Sequence, residues 1–191
     1  MNLILASSSR YRRELLLRLG LPFQTARPDV DETPLPNENP QHLAKRLAEA
    51  KARAVAKSFP HAWVIGSDQV AELNGQAIGK PENFERAADQ LSAASGKTMH
   101  FYSAFCLLRL EPHKIIAHTD ITIVHFRPLP ASEIERYLHK EQPYDCAGSF
   151  KAEGLGISLF DKIESNDPTG LIGLPLISLS KALRQAGLSF F

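Results

Sequence analysis

A strand–turn–helix pattern near the start of the chain constrains the fold more than any other stretch. Leu3 to Ala6 is an apolar run of strand length. A leucine-rich helix follows from about Arg10, and Gly20 marks its end. A buried strand that leads directly into a helix is typical of α/β proteins. We therefore expect an α/β fold, with helices around a mixed, twisted sheet.

The turn inside this pattern is rich in groups that bind anions. A helix N-terminus offers free N–H groups and the positive end of the helix dipole. Serine hydroxyls and arginine guanidinium groups add donors that match phosphate oxygens. The turn fits a phosphate site, but it equally fits a serine cap followed by a solvated basic turn. The residues concerned are Ser7, Ser8, Ser9, Arg10, Arg12 and Arg13.

Hydrophobic spacing and turn residues predict the other elements. Residues 27–39 are a proline-rich loop that carries the acidic residues Asp29, Asp31 and Glu32. The predicted elements are a strand at 21–26, a helix at 40–58 capped by Asn39, a strand from Ala62 into a hairpin at Asn74-Gly75, a helix at 82–95, strands at 98–110 and 115–127, a helix to Glu141 opened by a Ser132/Glu135 capping box, a strand at 157–160 and a helix from Leu174 to Gly187.

Three ionisable residues lie on or beside apolar elements. Asp68 follows the buried strand at 62–65, where a carboxylate is costly to bury without a partner. Counting outward from the Asn74-Gly75 turn brings Lys80 back close to Asp68, and a bulge near Gly79 would place both on one face. Lys51 lies at the edge of the apolar stripe of its helix, where a lysine either snorkels to solvent or points into a site.

Composition limits the classes of function. The chain has 191 residues and a net charge of +1, which predicts one domain over residues 1–191 and gives no support for nucleic-acid or membrane binding. Cys106 and Cys146 are isolated, the apolar run at the N-terminus is too short for a signal peptide, and no stretch is long enough to span a membrane. We therefore expect a cytoplasmic protein.

Together these residues indicate metal-assisted chemistry on a polyphosphate. Mg²⁺ is usually bound by a few carboxylates together with substrate phosphates, and a bound metal can generate the attacking hydroxide. Arginine and lysine neutralise the charge that develops on phosphoryl oxygens. The seven histidines are scattered, and the sequence has neither the zinc-deaminase signature nor the serine-hydrolase elbow.

Six short motifs resemble the Maf family of nucleotide pyrophosphatases, in the family's order and spacing. That resemblance implies an elongated, two-lobed fold like that of inosine triphosphatases, with the site in a central cleft, and a possible homodimer. The motifs are Leu5-Ala6-Ser7-Ser8-Ser9 with Arg12-Arg13, Asp31-Glu32-Thr33, Lys51, Gly66-Ser67-Asp68-Gln69, Gly79-Lys80-Pro81, and Gly148-Ser149-Phe150 to Gly154.

The pair Asp68-Gln69 and the segment from Gly148 to Gly154 are similar to the branch of the family that hydrolyses 7-methyl-GTP. The resemblance places substrate specificity at Tyr11, Gln69 and Glu153. An aromatic face attracts the cationic 7-methylguanine, and a carboxylate complements its charge. A thymine or uracil would leave a buried Glu153 poorly paired.

The resemblance also implies a mechanism, in which Asp68, Glu32, Lys51 and Lys80 are the catalytic residues. A divalent cation, Mg²⁺ or Mn²⁺, is expected on Glu32 and Asp68, and either carboxylate is a candidate for the general base, with Asp68 preferred. Ser7, Ser8, Arg12 and Arg13 bind the triphosphate together with the two lysines. The expected products are 7-methyl-GMP and pyrophosphate. The alternatives are a dTTP/UTP pyrophosphatase and a non-catalytic nucleotide-binding regulator of cell division.

Overall fold

A computed structural model describes residues 2–191 and contains one mixed sheet with helices on its faces, which confirms the predicted fold class. The strand order is β2-β1-β3-β5-β6-β7, and β4 pairs with β3 beside this path. The elements are β1 (Leu3–Ala6), α1 (Arg10–Leu17), β2 (Gln24–Ala26), α2 (Pro40–Ala56), β3 (Trp63–Leu73), β4 (Gln76–Ile78), α3 (Phe84–Ala94), β5 (Thr98–Arg109), β6 (Lys114–Phe126), α4 (Ala131–Glu141), a 3-10 helix (Leu155–Leu159), β7 (Phe160–Glu164) and α5 (Leu176–Gln185).

The central strand β3 changes its partner halfway along one side. Residues Trp63–Gly66 pair in parallel with β1, whereas Ala71–Leu73 pair antiparallel with β4. On the opposite side β3 pairs with β5 continuously from Val64 to Glu72. Residues 67–70 therefore have a strand neighbour on one side and, within the described part of the chain, none on the other. We call residues 67–70 the partner gap.

The core is divided between two lobes that share the three longest strands. In the first lobe α2 packs on one face of the sheet, and α1 and α5 pack on the other. In the second lobe α3, α4 and the 3-10 helix pack around the far ends of β3, β5 and β6. Val64 of β3 therefore lies in the first lobe, whereas Ala71 of the same strand lies in the second.

Local sequence explains where the helices near the partner gap begin. Ser9 caps α1, and its Oγ accepts a hydrogen bond from the Arg12 N–H. Asn39 caps α2, and Pro40 occupies the first position, where a missing N–H costs nothing. Gly66 lets α2 approach the sheet closely, because a Cβ there would lie 2.1 Å from the Ala48 carbonyl oxygen.

Two predicted local features are wrong. The Ser132/Glu135 capping box does not form, because α4 already begins at Ala131 after Pro130, so Ser132 lies inside the first turn, and the helix has no side-chain cap. The predicted strand at 157–160 is instead the end of the 3-10 helix, and β7 begins at Phe160. A short apolar run predicts burial better than it predicts the type of element. No helix within residues 2–191 has both the length and the hydropathy that a bilayer crossing requires.

Candidate active site

A cleft of about 920 Å³ opens at the partner gap, between the two lobes. The parallel strands β1, β2 and β3 run in the same direction, so the residues that follow β1 and β2 reach the same edge of the sheet as the gap. This edge explains why residues distant in sequence share one cleft. The lining includes the predicted site residues Ser7, Ser8, Tyr11, Arg12, Glu32, Lys51, Asp68, Gln69, Lys80 and Glu153.

The serine turn enters the cleft in a fixed conformation. The Ser9 N–H donates to the Ser7 Oγ at 3.1 Å, and Ser7 is buried. Ser8 is exposed, so its hydroxyl is free to face a ligand. The turn precedes the N-terminus of α1, whose free N–H groups and dipole favour an anion.

Arg12 is oriented by the protein backbone. Its Nε donates to the Gly173 carbonyl oxygen at 3.1 Å, which leaves the two terminal nitrogens for other partners. Burial lowers the pKa of Arg12, and the nearby carboxylates of Asp68 and Glu32 oppose that shift. The neighbouring Arg13 is exposed and does not line the cleft.

A three-membered ion cluster forms the centre of the site. The Lys51 Nζ donates to the Asp68 Oδ1 at 2.6 Å and lies 2.8 Å from the Glu32 Oε1. Lys51 and Asp68 are only 5% and 6% exposed, whereas Glu32 lies on the solvent side. Lys51 therefore points into the site and does not snorkel to solvent. The Asp68 Oδ2 makes no hydrogen bond to any residue in the range 2–191 and remains available to a ligand.

The loop that carries Glu32 is anchored to α2. Arg46 donates two hydrogen bonds to the Glu38 carboxylate, at 2.7 and 2.8 Å, and a third to the Thr33 carbonyl oxygen at 3.0 Å. This contact lowers the pKa of Glu38 to about 2. The loop thus has a defined position beside Lys51.

Lys80 lies in the same cleft without pairing to Asp68. The hairpin register predicted from Asn74-Gly75 is confirmed, since Leu73 pairs with Gln76. The bulge expected near Gly79 is absent, because β4 ends at Ile78 and Lys80 follows in irregular backbone. No salt bridge of 4.0 Å or less joins Lys80 to Asp68 in the described structure, and Lys51 takes that place instead.

Tyr11 borders the cleft beside a small polar cluster. Its hydroxyl accepts from the Arg10 Nη2 at 2.7 Å and lies 3.3 Å from the Asp145 Oδ2. The Cys146 Sγ lies 3.6 Å from the same hydroxyl. Burial raises the pKa of Tyr11 well above its usual value, so the phenol is neutral at physiological pH. Its hydroxyl is held by these neighbours beside the cleft.

The amide of Gln69 has a fixed orientation. Its Nε2 donates to the carbonyl oxygens of Gly170 and Leu171 at 3.0 and 2.9 Å, and it lies 3.0 Å from the Ser103 Oγ. Because carbonyl oxygens only accept, the nitrogen must face them, and the Oε1 is the atom left for a ligand. The expectation that Glu153 is buried is wrong, because its side chain is exposed at the cleft, and its carboxylate has no salt bridge within residues 2–191.

Two features of the site were not predicted from the sequence. The first is the turn at residues 170–173, the carbonyl turn, whose backbone oxygens hold Arg12, Gln69 and the buried Ser67 hydroxyl. The second is Arg27, which follows β2 and lines the cleft. Parallel pairing of the first two strands would have predicted Arg27, whereas backbone acceptors leave no mark in a sequence.

The donor set at the centre suits a hard divalent cation. Glu32 from the loop at residues 27–39 and Asp68 from β3 approach one Nζ, and each has a second oxygen outside that contact. No group of three or more His, Cys, Asp or Glu residues is arranged as a metal site in the described residues. Mg²⁺ is usually coordinated by one or two carboxylates, and phosphate and water take its remaining coordination positions.

Comparison with known proteins gives a family and several similar relatives. The model of the Maf-like protein family matches residues 2–186. A protein of Xanthomonas campestris named 7-methyl-GTP pyrophosphatase is 61% identical over 98% of this chain and 97% of its own length. Proteins with the same name from Polaromonas and Nitrosococcus oceani are 56% and 54% identical over 99% and 97% of the chain, and over 86% and 93% of their own lengths.

A solved structure was also found, that of the Staphylococcus aureus Ham1 protein. It covers 66% of this chain and 72% of its own, with 15% identity and a TM-score of 0.48.

Proposed function

This chain belongs to the Maf-like protein family, and on that premise we propose that it is a nucleoside triphosphate pyrophosphatase that hydrolyses 7-methyl-GTP to 7-methyl-GMP and pyrophosphate. The relatives that carry this name match over nearly their whole length, so the proposal concerns the entire domain of 191 residues. The observation that carries it is Lys51 held between Asp68 and Glu32 at the partner gap, with Arg12 on the same cleft.

The cationic side of the cleft is suited to the triphosphate. Arg12 presents two terminal nitrogens after its Nε is bound, and the serine turn adds hydroxyl and N–H donors. Lys51 and Lys80 supply two further positive charges from the two lobes. These groups neutralise charge that develops on the α- and β-phosphoryl oxygens as the bond between them breaks. Arg13, which lies outside the cleft, has no direct part in this proposal.

The carboxylates supply the other half of the chemistry. We assign Asp68 as the general base, because its free Oδ2 faces a site where a water molecule can attack the α-phosphorus. Lys51 holds the other Asp68 oxygen and fixes the carboxylate against rotation. Glu32 and Asp68 would hold Mg²⁺ or Mn²⁺, and such a cation would supply Lewis-acid activation of water and neutralise phosphate charge.

Base recognition rests on acceptors and an aromatic side chain. The Gln69 Oε1 and the Glu153 carboxylate accept hydrogen bonds but offer none, which matches the N1–H and 2-amino donors of guanine. Methylation at N7 gives the base a positive charge, which the Tyr11 ring and the Glu153 carboxylate both favour. A uracil or thymine edge, with one donor between two acceptors, is less well matched.

Assay of pyrophosphate release across 7-methyl-GTP, GTP, dTTP and UTP, with and without Mg²⁺ or Mn²⁺, tests the proposal. The expected result is metal-dependent release with the highest kcat/KM for 7-methyl-GTP. A preference for dTTP and UTP would reassign the substrate within the same chemistry. Tight nucleotide binding without pyrophosphate release from any of the four would instead indicate a binding protein and refute the enzyme.

A cytoplasmic location is part of the same proposal. Both cysteines are free thiols, which is the state that a reducing cytoplasm maintains. A homodimer remains a prediction from family resemblance, and sedimentation analysis of the purified protein tests it directly.

A further inference from the structure

Gln90 of α3 joins two separate segments that line the cleft. Its Nε2 donates to the Gly79 carbonyl oxygen at 3.1 Å, and the Ser149 hydroxyl donates to its Oε1 at 2.6 Å. The Gly79 oxygen only accepts, so the amide orientation follows from chemistry alone. One side chain therefore connects the residue before Lys80 to the segment that leads to Glu153.

The first of these segments, residues 79–83, has no regular structure of its own. It lies between the end of β4 at Ile78 and the start of α3 at Phe84. Its second tie is the Glu82 N–H, which donates to the Tyr144 carbonyl oxygen at 3.1 Å. Lys80 is thus placed between two hydrogen-bonded anchors, and its exposed side chain makes no salt bridge in residues 2–191.

The second segment, residues 148–153, is rigid where Gln90 meets it. Ser149 is fully buried and has a left-handed backbone with φ of 62°. Its N–H donates to the Cys146 carbonyl oxygen at 3.2 Å, and its Oγ would be an unpaired buried hydroxyl without Gln90. Phe150 next to it packs against Phe101, Phe126 and Phe160. This segment gives Gln90 a fixed support.

We propose that Gln90 is a positioning residue. It holds Lys80, which faces the triphosphate, at a fixed position relative to residues 148–153, the segment that carries Glu153. Lys80 has no ion-pair partner in residues 2–191, and of its two neighbouring anchors only Gly79 is joined through Gln90 to the segment at residues 148–153. This inference rests on the proposed function in one respect, the assignment of Lys80 as a residue that binds phosphate. Gln90 itself does not line the cleft and acts through Lys80.

A double-mutant cycle between Gln90→Met and Lys80→Ala tests the role, with Ser92→Ala, an exposed position on the same helix, as the control. Methionine keeps the length of glutamine and removes both hydrogen bonds. Two quantities are measured, the affinity for inorganic pyrophosphate by calorimetry and kcat/KM for 7-methyl-GTP. We expect Gln90→Met to weaken pyrophosphate binding by about three- to tenfold, the effect of one or two hydrogen bonds.

In the Lys80→Ala background the same substitution should cause no further loss, and Ser92→Ala should change neither quantity. An equal loss of pyrophosphate affinity in both backgrounds would show that Gln90 does not act through Lys80. An unchanged pyrophosphate affinity in Gln90→Met would show that Gln90 has no positioning role. If Lys80→Ala does not change pyrophosphate affinity, the inference is overturned. The proposed function is judged separately, by pyrophosphate release from nucleotides by the unaltered protein. If the protein hydrolyses no nucleotide, the double-mutant cycle measured by pyrophosphate binding still tests the role of Gln90.

A second variant covers the case in which Gln90→Met does not fold. Gln90→Glu keeps an acceptor for Ser149, removes the donor to Gly79 and adds a negative charge. It is expected to weaken pyrophosphate binding in the same cycle while its melting temperature stays close to that of the unaltered protein.

Discussion

Asp68 is buried beside a lysine yet has to remain open to a ligand. One of its oxygens accepts from Lys51 at 2.6 Å, which offsets the cost of burying both charges. The other oxygen accepts no hydrogen bond within residues 2–191, and Asp68 lines the cleft, where that oxygen is available to a ligand. At the scale of single residues, the proposed mechanism therefore uses one oxygen of this carboxylate for stability and the other for chemistry.

Replacing that carboxylate should separate the two uses. In Asp68→Asn, Lys51 keeps an oxygen partner at position 68 and its contact with Glu32, so the protein is expected to fold. Loss of the base should lower kcat by about 10²- to 10⁴-fold. Pyrophosphate release and thermal melting measure the two effects. Asp89→Asn, at an exposed position on α3, is the control, and near-normal turnover in a folded Asp68→Asn protein would contradict the assignment.

Glu153 should control which base is accepted more than how fast phosphate chemistry proceeds. Glu153→Gln removes the negative charge with little change in shape, so the advantage of 7-methyl-GTP over GTP should fall by about tenfold. The ratio of kcat/KM for the two nucleotides measures it. Glu85→Gln, an exposed change on α3 outside the cleft, should leave the ratio alone. An unchanged ratio in Glu153→Gln would remove Glu153 from base recognition.

Cys146 offers a chemical probe of cleft occupancy. Burial raises the pKa of its thiol to about 11, so at pH 8 the reactive thiolate should be ~100-fold scarcer than for an ordinary cysteine. Alkylation by iodoacetamide, followed by mass spectrometry, should be slow and should accelerate about tenfold per pH unit up to that pKa. Cys106, buried and with its pKa raised to about 12, should not react. Because Cys146 lines the cleft, saturating 7-methyl-GTP should slow the reaction further, and equal rates with and without nucleotide would contradict that placement.

At the scale of elements, the serine cap of α1, the proline start of α2 and the hairpin at Asn74-Gly75 could be predicted, because each depends on residues adjacent in sequence. The position of Lys80 could not, since it depends on a distant glutamine and on where β4 stops. The roles of the backbone oxygens in the carbonyl turn were equally hidden. Sequence patterns report side chains, whereas these contacts are made by carbonyl groups that every residue carries.

The carbonyl turn is supported by one threonine. The Thr169 hydroxyl lies 2.6 Å from the Asp167 Oδ1 and 2.9 Å from the Leu174 carbonyl oxygen, and it accepts from the Leu176 N–H at 2.8 Å. Thr169→Val keeps the shape but removes the acceptor of the Leu176 N–H and the hydroxyl beside the Leu174 carbonyl oxygen, while the Asp167 Oδ1 still accepts from the N–H of residue 169. The loss should lower the free energy of unfolding by about 1–3 kcal/mol. Urea denaturation measures the change.

Thr169→Ser, which keeps the hydroxyl, is the matched comparison. It should retain most of the stability and also the kcat/KM that Thr169→Val loses when Arg12 and Gln69 are no longer held. Equal stability of the two variants would show that the hydroxyl does not support the turn.

At the scale of the whole molecule, the spacing between α2 and the sheet sets the position of Lys51. A Cβ at Gly66 would lie 2.1 Å from the Ala48 carbonyl oxygen and 2.4 Å from the Ala52 nitrogen, so α2 would have to move outward. Gly66→Ala should cost roughly 1–3 kcal/mol in unfolding free energy and reduce turnover. Gly79→Ala, where no atom lies within 4 Å of the added carbon, is the control for stability. Equal urea midpoints for the two variants would contradict the close approach.

The three strands shared by the two lobes have a mechanical consequence. Domain closure usually needs a few backbone bonds that can turn between the domains. Here β3, β5 and β6 cross from one lobe to the other as paired ladders, so a hinge motion between the lobes would have to bend three hydrogen-bonded strands together. We therefore expect the width of the cleft to change little when a nucleotide binds. We expect adjustment on binding to fall to side chains at its rim, above all to the exposed Glu32, whose loop is itself anchored to α2 by Arg46.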